Sequence, residues 1–343
     1  MRLSEPIDKA ANYLLQRRGW TGLWWDFLTG AGYSDEWLSA FVASVLAKLP
    51  GQKYFDAVCL TWSRLIARHP ACKGWGYSAD TPQDADSTIW VLNLATILGE
   101  NNRRIDEAHA FLIAHCRMDG GVSTYSSGRD IRRFVRLDPT VSFAGWCSSH
   151  TDVTANAANH IAFAQRAAAL EYLRKNQQAD GSWRGYWWSD PEYTSALAVK
   201  ALSKTGKPED RLCIRKAVQL AIEKLEPTGA VHTVWHPRGS TFATALALQI
   251  LLRTEEIDIV RRSIEKSVSW LLSKQTKAGF WHSSAAMRLP HPADRNPDLY
   301  KHWNKNGRGE LGDIIFDVRR IFTTATVLET LIDVRSLILG YES

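Results

Sequence analysis

Gln165–Asn176, Gly181-Ser182-Trp183 and Tyr193-Thr194-Ser195-Ala196 through Leu202 follow one another along a single stretch, and its reading decides the fold. The first segment is amphipathic and rich in charge. A glycine then supplies a left-handed turn, and the residue after it packs back on the helix end. The last segment opens on hydroxyls that cap a helix and continues in small and apolar residues. The order is outer helix, glycine turn, loop, inner helix.

The same order recurs six times. Capped, small-residue-rich segments run from Ser34 to Leu46, Ser87 to Leu98, Thr151 to Ala164, Tyr193 to Leu202, Thr241 to Leu252 and Phe322 to Leu331. Charged segments alternate with them at 7–18, 54–69, 105–115, 165–176, 212–225 and 257–274. Apolar spacing of three and four in Val58, Trp62, Leu65 and Ile66, and in Ile264, Val268, Leu271 and Leu272, gives these helices one buried face. The turns are Gly19-Trp20, Gly74-Trp75-Gly76, Gly120-Gly121, Gly181-Ser182-Trp183, Gly229-Ala230 and Gly279-Phe280-Trp281. A Ser/Thr-to-Ala step falls at Ser39, Thr154, Ser195, Thr244 and Thr324, while Thr88 is followed by Ile89.

Six alternating pairs predict an all-α (α/α)6 toroid, a double ring of six outer and six inner helices, spanning residues 1–343 as a single barrel domain. Ala and Ser let the inner helices approach closely around an axis. All six turn-to-helix loops would then gather at one mouth. Those loops hold Trp24, Trp25 and Asp26; Asp84 and Asp86; Arg129 to Arg136; Asp152; Trp187, Trp188 and Tyr193; Trp235; and Trp281. The Pro-rich 285–313 stretch reads as a long mouth loop.

Apolar residues at 45% suffice for a core, and charged residues at 23% are ordinary for a globular chain. A net charge of +6 without a basic tract does not reach a nucleic-acid reading. Five cysteines, at 59, 72, 116, 147 and 213, form no CxxC pair, which predicts reduced thiols and a cytoplasmic setting. The N-terminus lacks a signal-peptide core, and no apolar run reaches membrane-spanning length. The unusual number is 15 Trp.

Chemistry concentrates in Gln83-Asp84-Ala85-Asp86-Ser87-Thr88-Ile89-Trp90. Two carboxylates stand two residues apart before a cappable helix start, where the helix dipole favours negative charge. Such a pair can split its pKa values, one group ionised and the other holding a proton. A solvated capping loop would look the same. Gly128 to Arg136 is the only basic cluster in a mouth loop, and Arg129 is its candidate for gripping a diphosphate or carboxylate, against a plain solvated loop. The histidines lack metal-ligand spacing, so no metal site is expected.

On these residues the chain resembles the squalene–hopene cyclase and class II terpene cyclase family. Asp84-Ala85-Asp86-Ser87-Thr88 resembles the family's DxDD-Thr acid motif, and Thr151-Asp152-Val153-Thr154-Ala155 its Asp-Val-Thr-Ala segment. Leu170 to Leu173 with Gln177 or Gln178 and Gly181-Ser182-Trp183 is similar to a QW motif, which staples an outer helix to its turn. Trp270-Leu271-Leu272, Gln275 and Gly279-Phe280-Trp281 form a looser copy. The resemblance covers one of a full cyclase's two barrels. It implies that Asp86 is a Brønsted acid that protonates an alkene or epoxide, oriented by Asp84, with Asp152 and Asn156 in its network. Ser87 stands where the family usually has its last Asp, and Asn156 where the bacterial triterpene enzymes have a His. It also implies a dry cavity walled by aromatic faces that stabilise carbocations, for which Trp24, Trp25, Trp90, Trp187, Trp188, Tyr193 and Trp281 are the candidates. The substrate would be an isoprenoid, no cofactor would be needed, and Mg²⁺ would take part only with a diphosphate substrate. Related cyclases sit on membranes, so peripheral membrane contact is compatible with the reading.

Two functions share this fold. One is proton-initiated cyclisation of a polyene; the other is a non-catalytic module holding an apolar or prenyl ligand, or a partner protein in place of the absent second barrel. Prenyltransferase β-subunits share the repeats but carry a zinc ligand set with Asp-x-Cys, which does not occur here. Glycoside-processing toroids use two carboxylates but not the QW-like turns. Burial of Asp86 beside an apolar cavity separates cyclase from binding module.

Overall fold

The computed structural model describes residues 3–68 and 73–341. Cys72, His69 at the end of the second charged segment, and the extreme ends of the 1–343 span lie outside the described residues.

Six outer helices, α1 (Ser4–Arg17), α3 (Gln52–Ala67), α5 (Arg103–Ile113), α8 (Arg166–Lys175), α10 (Pro208–Lys224) and α12 (Ile257–Lys274), alternate with six inner ones. The inner helices are α2 (Glu36–Leu46), α4 (Ala85–Leu98), α7 (Thr151–Asn159), α9 (Pro191–Leu202), α11 (Thr241–Leu251) and α13 (Ile321–Tyr341). Each inner helix touches the next, and α13 returns to α2, so the inner ring closes. The expected toroid is present. The bounds differ most at two places: α7 stops at Asn159 because the chain turns at His160 to start the next outer helix, and α13 runs ten residues past Leu331. A thirteenth helix, α6 (Arg129–Val135), lies in the loop between α5 and α7, where the sequence showed only a basic cluster. No helix among the described residues is long and apolar enough to cross a membrane.

The Ser/Thr steps hold the two rings together. Trp24 N donates to Ser39 Oγ (2.9 Å), Trp75 N to Thr88 Oγ1 (3.0 Å) and Val122 N to Thr154 Oγ1 (2.8 Å). Trp183 N donates to Ser195 Oγ (3.0 Å), Val231 N to Thr244 Oγ1 (2.9 Å) and Trp281 N to Thr324 Oγ1 (3.3 Å). Each hydroxyl takes a turn amide that would otherwise be buried without a partner. Four indoles complete the staple: Trp24, Trp75, Trp183 and Trp281 donate Nε1–H to the carbonyls of Leu14, Leu65, Leu173 and Leu271 at 2.7–2.9 Å. In the first unit the stapling residue is therefore Trp24, and Trp20 beside the glycine is exposed. Gln177 donates to Gly181 O and to Cys213 O of the next outer helix, and Gln275 to Gly279 O and to Pro6 O of α1.

The hydroxyls fix the register of the axis. A residue two before the hydroxyl and one two after it lie four apart, on the helix face opposite the staple. The six residues before are Trp37, Asp86, Asp152, Tyr193, Phe242 and Phe322; those after are Phe41, Trp90, Asn156, Leu197, Leu246 and Thr326. Contacts across the ring agree: Tyr193 of α9 reaches Phe322 of α13 with ring centroids 6.1 Å apart. At the far end the axis is plugged by ion pairs, Lys48 and Lys200 on Glu329 (2.8 and 3.3 Å) and Lys48 and Arg253 on Asp333 (3.0 and 3.4 Å).

The turn glycines are tested by Gly279 against Gly99. Both have positive φ, but a Cβ on Gly279 would sit 2.3 Å from Lys9 O, whereas nothing lies within 4 Å at Gly99. Gly99→Ala should cost about 1–2 kcal/mol from the left-handed backbone alone, and Gly279→Ala more than about 3 kcal/mol because α1 must also move. Urea denaturation of both variants checks this; equal losses would contradict the packing account.

Candidate active site

Asp84 ends a short two-stranded ribbon with Trp75 and caps α4, its carboxylate accepting Ser87 N–H and Ser87 Oγ–H, both at 2.8 Å. Ser87, in the place of a third acid, is thus a donor to the first, Asp84. Asp86, one residue into the helix, faces the axis and is only partly buried. Its Oδ1 accepts Asn156 Nδ2–H at 2.9 Å. Burial pushes both carboxyls up, Asp86 to about 7 and Asp84 to about 8, with Asp86's charge adding to the rise at Asp84 and Asp152's to that at Asp86. Hydrogen bonding separates the two: Asp84 meets two donors and the positive end of α4, which favour its ionised form, while Asp86 meets one neutral amide. Both carboxyls thus hold a proton well above the usual carboxylate range, and of the two it is Asp86 that faces the axis.

Asp152 does different work. Its Oδ2 accepts the amides of Tyr186 (3.0 Å) and Trp187 (2.8 Å), and Oδ1 that of Val153 (3.1 Å). Arg288, buried, donates to the carbonyls of Gly185 and Tyr186 and pairs with Asp298 at 2.7 Å. Asp152 and Arg288 together hold the 185–187 loop from two sides. Trp187 Nε1 donates to Thr124 Oγ1 (2.7 Å), whose hydroxyl also pairs with His150 Nδ1 (2.8 Å). Burial pushes His150 down to about 3, so it is a neutral strut.

A cavity of about 130 Å³ opens beside Asp86, also lined by Asp84, Trp37, Trp187 and Trp188, with Ile131, Phe134 and Val135 of α6 as its outer wall. No Lys or Arg is among the lining residues. Trp188 stacks on Tyr193 (4.2 Å) and on Phe322 (5.1 Å). Phe322 in turn touches Trp37, Phe41 and Phe242 at 5.0–5.4 Å. Trp90 packs against Phe41 (5.1 Å) one layer below Asp86. Trp187, Trp188, Tyr193 and Trp90 therefore belong to the aromatic surround.

The other candidates stand elsewhere. Trp24 and Trp281 are fully buried staples whose indoles are spent on helix-end carbonyls. Trp25 lies beneath the Arg319 guanidinium, 4.2 Å from its ring centroid, away from the cavity. Arg129 is exposed, because α6 turns its apolar side to the cavity and its arginines outward. Trp37, Phe41, Phe242, Phe322 and Arg288 were missed. The first four were legible in principle from their spacing to Ser39, Thr244 and Thr324; Arg288 gives no sequence signal. No group of three or more His, Cys, Asp or Glu among the described residues is arranged to hold a metal.

A carboxyl raised in the folded state stabilises the fold fully below the unfolded value near 4, and that contribution is lost as pH rises through its folded value. Asp86→Asn should therefore match the wild type near pH 4 and gain on it toward pH 8, by up to about 4 kcal/mol. Urea denaturation across pH measures the gain; a pH-independent difference would contradict the raised carboxyl.

A family model described as the squalene-hopene cyclase C-terminal domain matches residues 82–292. The structure is similar to that of the type II terpene cyclase MstE from Scytonema in complex with geranylgeranyl dihydroxybenzoate as substrate. The TM-score is 0.92 at 39% identity, covering 96% of this chain and 97% of that one. Among curated proteins, the squalene–hopene cyclase of Zymomonas mobilis is 30% identical over 154 residues, 42% of this chain and 23% of that protein. A labda-7,13-dienyl diphosphate synthase from Streptomyces clavuligerus is 29% identical over 175 residues, 50% of this chain and 29% of that protein. The matches thus span under a third of these curated relatives. Asp84, Asp86, the Asp152 segment and the stapled turns at Trp183 and Trp281 fall within the matched stretch, and the chain belongs to the squalene-hopene cyclase C-terminal domain family.

Proposed function

We propose that the protein is a class II terpene cyclase in which Asp86 protonates the terminal alkene of a polyene and starts its ring closure. The observation that carries this reading is a partly buried carboxyl, raised to about 7, at the wall of an aromatic cavity. An alkene is a very weak base, so its donor must be positioned and must gain stabilisation as its own charge develops. Asn156 N–H supplies that stabilisation at Oδ1. The proton adds to one alkene carbon and leaves a tertiary cation, which the next double bond attacks. A proton lost from the final cation balances the reaction as an isomerisation. Trp37, Trp187 and Trp188 offer faces that stabilise a cation without capturing it.

The absence of Lys and Arg from the cavity lining favours a polyene without a diphosphate, and Mg²⁺ then has no part. The aromatic and apolar part of this lining suits the polyene chain of a prenylated substrate such as the one bound by MstE. The chain would act as one barrel over its whole length. α6 supplies the lid that the second barrel gives a full cyclase, so no partner protein is needed. Exposed Leu28 and Tyr33 on the hairpin near the cavity, with the outward arginines of α6, suit peripheral contact with a membrane holding apolar substrate. Free Cys59, Cys116, Cys147 and Cys213 suit a cytoplasmic setting.

The test is product analysis by mass spectrometry with geranylgeranyl dihydroxybenzoate as probe. The wild type should form a cyclic isomer, and Asp86→Asn should lose about 10³-fold or more in rate. Wild-type turnover by Asp86→Asn would overturn the assignment of the acid. Tight binding without turnover, unchanged in the variant, would leave the binding-module reading.

A further inference from the structure

A chain of polar side chains runs from Asp86 through the otherwise apolar wall between α4 and α7. Asn156 Nδ2–H donates to Asp86 Oδ1 at 2.9 Å, and Asn156 Oδ1 accepts Asn93 Nδ2–H at 3.4 Å. Asn93 Oδ1 pairs with His160 Nδ1 at 3.1 Å. His160 is 1% exposed and stacks on His109 of α5, with centroids 5.0 Å apart. The positions are seven apart on α4 (Asp86, Asn93), and Asp152, Asn156 and His160 fall four apart along α7 and just past its end, so one seam carries the series from mouth to far end. Asp152 is spent on loop amides; the seam proper is Asp86, Asn156, Asn93 and His160.

The direction of these bonds matters. With Asp86 ionised, every link has one donor and one acceptor only if His160 holds its proton on Nδ1 and both amides turn their NH₂ groups toward the acid. His160 Nε2 has no partner among the described residues, which agrees with a bare nitrogen there. The groups around His160 keep it neutral: burial, His109 on α5 and Lys204 after α9 all lower it, to about 4. Arg166 of α8 is turned to the Ala158 carbonyl. Around Asp86 the titratable neighbours are Asp84, Asp152 and Tyr193. Oδ2 of Asp86 has no hydrogen-bond partner among the described residues, whereas Oδ1 is claimed by Asn156.

We propose that His160 is a positioning residue for the proton donor: through Asn93 and Asn156 it fixes the hydrogen bond on Asp86 Oδ1 and so keeps the transferable proton on Oδ2. Without the Nδ1–H anchor, Asn93 and then Asn156 are free to reverse. Asn156 would present its carbonyl to Asp86, draw the proton to Oδ1 and cease to stabilise the carboxylate left behind. The proposal rests on Asp86 being the acid.

The test compares His160→Leu, which removes the donor, with His160→Asn, whose amide NH₂ stands near the place of Nδ1–H. On geranylgeranyl dihydroxybenzoate, His160→Leu should lower kcat about tenfold with KM unchanged, and His160→Asn should restore most of it. Independently of turnover, the infrared carboxylic C=O band that Asp86→Asn abolishes reports the titration of Asp86. His160→Leu should raise its midpoint by about one pH unit, and His160→Asn should leave it near the wild-type value. Asn93→Leu breaks the same chain and should reproduce His160→Leu if the latter fails to fold. An unmoved midpoint, or equal effects of Leu and Asn at 160, would overturn the relay. A wild type inert toward the probe, with the midpoint still shifting, would fault the substrate and spare the relay.

Discussion

The barrel depends on six buried hydroxyls. Each lies near the start of an inner helix, turned outward, and accepts a backbone amide one or two residues past a glycine. One hydrogen bond of this kind is worth about 1 kcal/mol net, but leaving a buried amide unpaired costs more. Its larger effect is geometric. With the hydroxyl facing the turn, the residues two before and two after must face the axis, so the staple that joins the rings also decides what lines the cavity.

That constraint explains how a repeat becomes an active site. In the layer at the mouth, four of the six equivalent positions are aromatic (Trp37, Tyr193, Phe242, Phe322) and two, on neighbouring helices, are acidic (Asp86, Asp152). The acids then diverge through their surroundings. Asp152 is satisfied by three backbone amides and holds a loop; Asp86 has one amide donor and an open side. Symmetry in the backbone places the groups, and asymmetry in hydrogen bonding gives them different tasks.

The rings, their order and the acid ribbon were legible because local chemistry sets them: a cap, a glycine, an alternation of charged and small-residue helices. The staples were legible in pattern but not always in residue. Trp20 sits next to its glycine, yet Trp24 makes the bond, since the carbonyl it must reach belongs to Leu14, ten residues back as in the other three units. What the sequence hid was long-range. Arg288 reaches the 185–187 loop from a hundred residues away, and Asn93 and His160 join only once α4 and α7 pack. In the basic run at 129–136 the charges masked the apolar residues between them, which are the ones that reach the cavity. As a short helix it puts Ile131, Phe134 and Val135 inward.

Gln275 donates to Pro6 O across 269 residues, and the Gly279 turn packs on Lys9 of α1. The last outer helix is thereby stitched to the first with the same bond that Gln177 makes between sequence neighbours. Covalently the chain has two ends; in contact order it has none. Each seam but this one can form as soon as adjacent units exist, whereas the final seam waits for all six and closes the largest loop. The entropic cost of that closure grows only logarithmically with length, but the search for it is slow. Until it forms, one flank of α1 and one of α12 remain uncovered. The seam that closes the barrel is thus also the one that spans nearly the whole length of the chain.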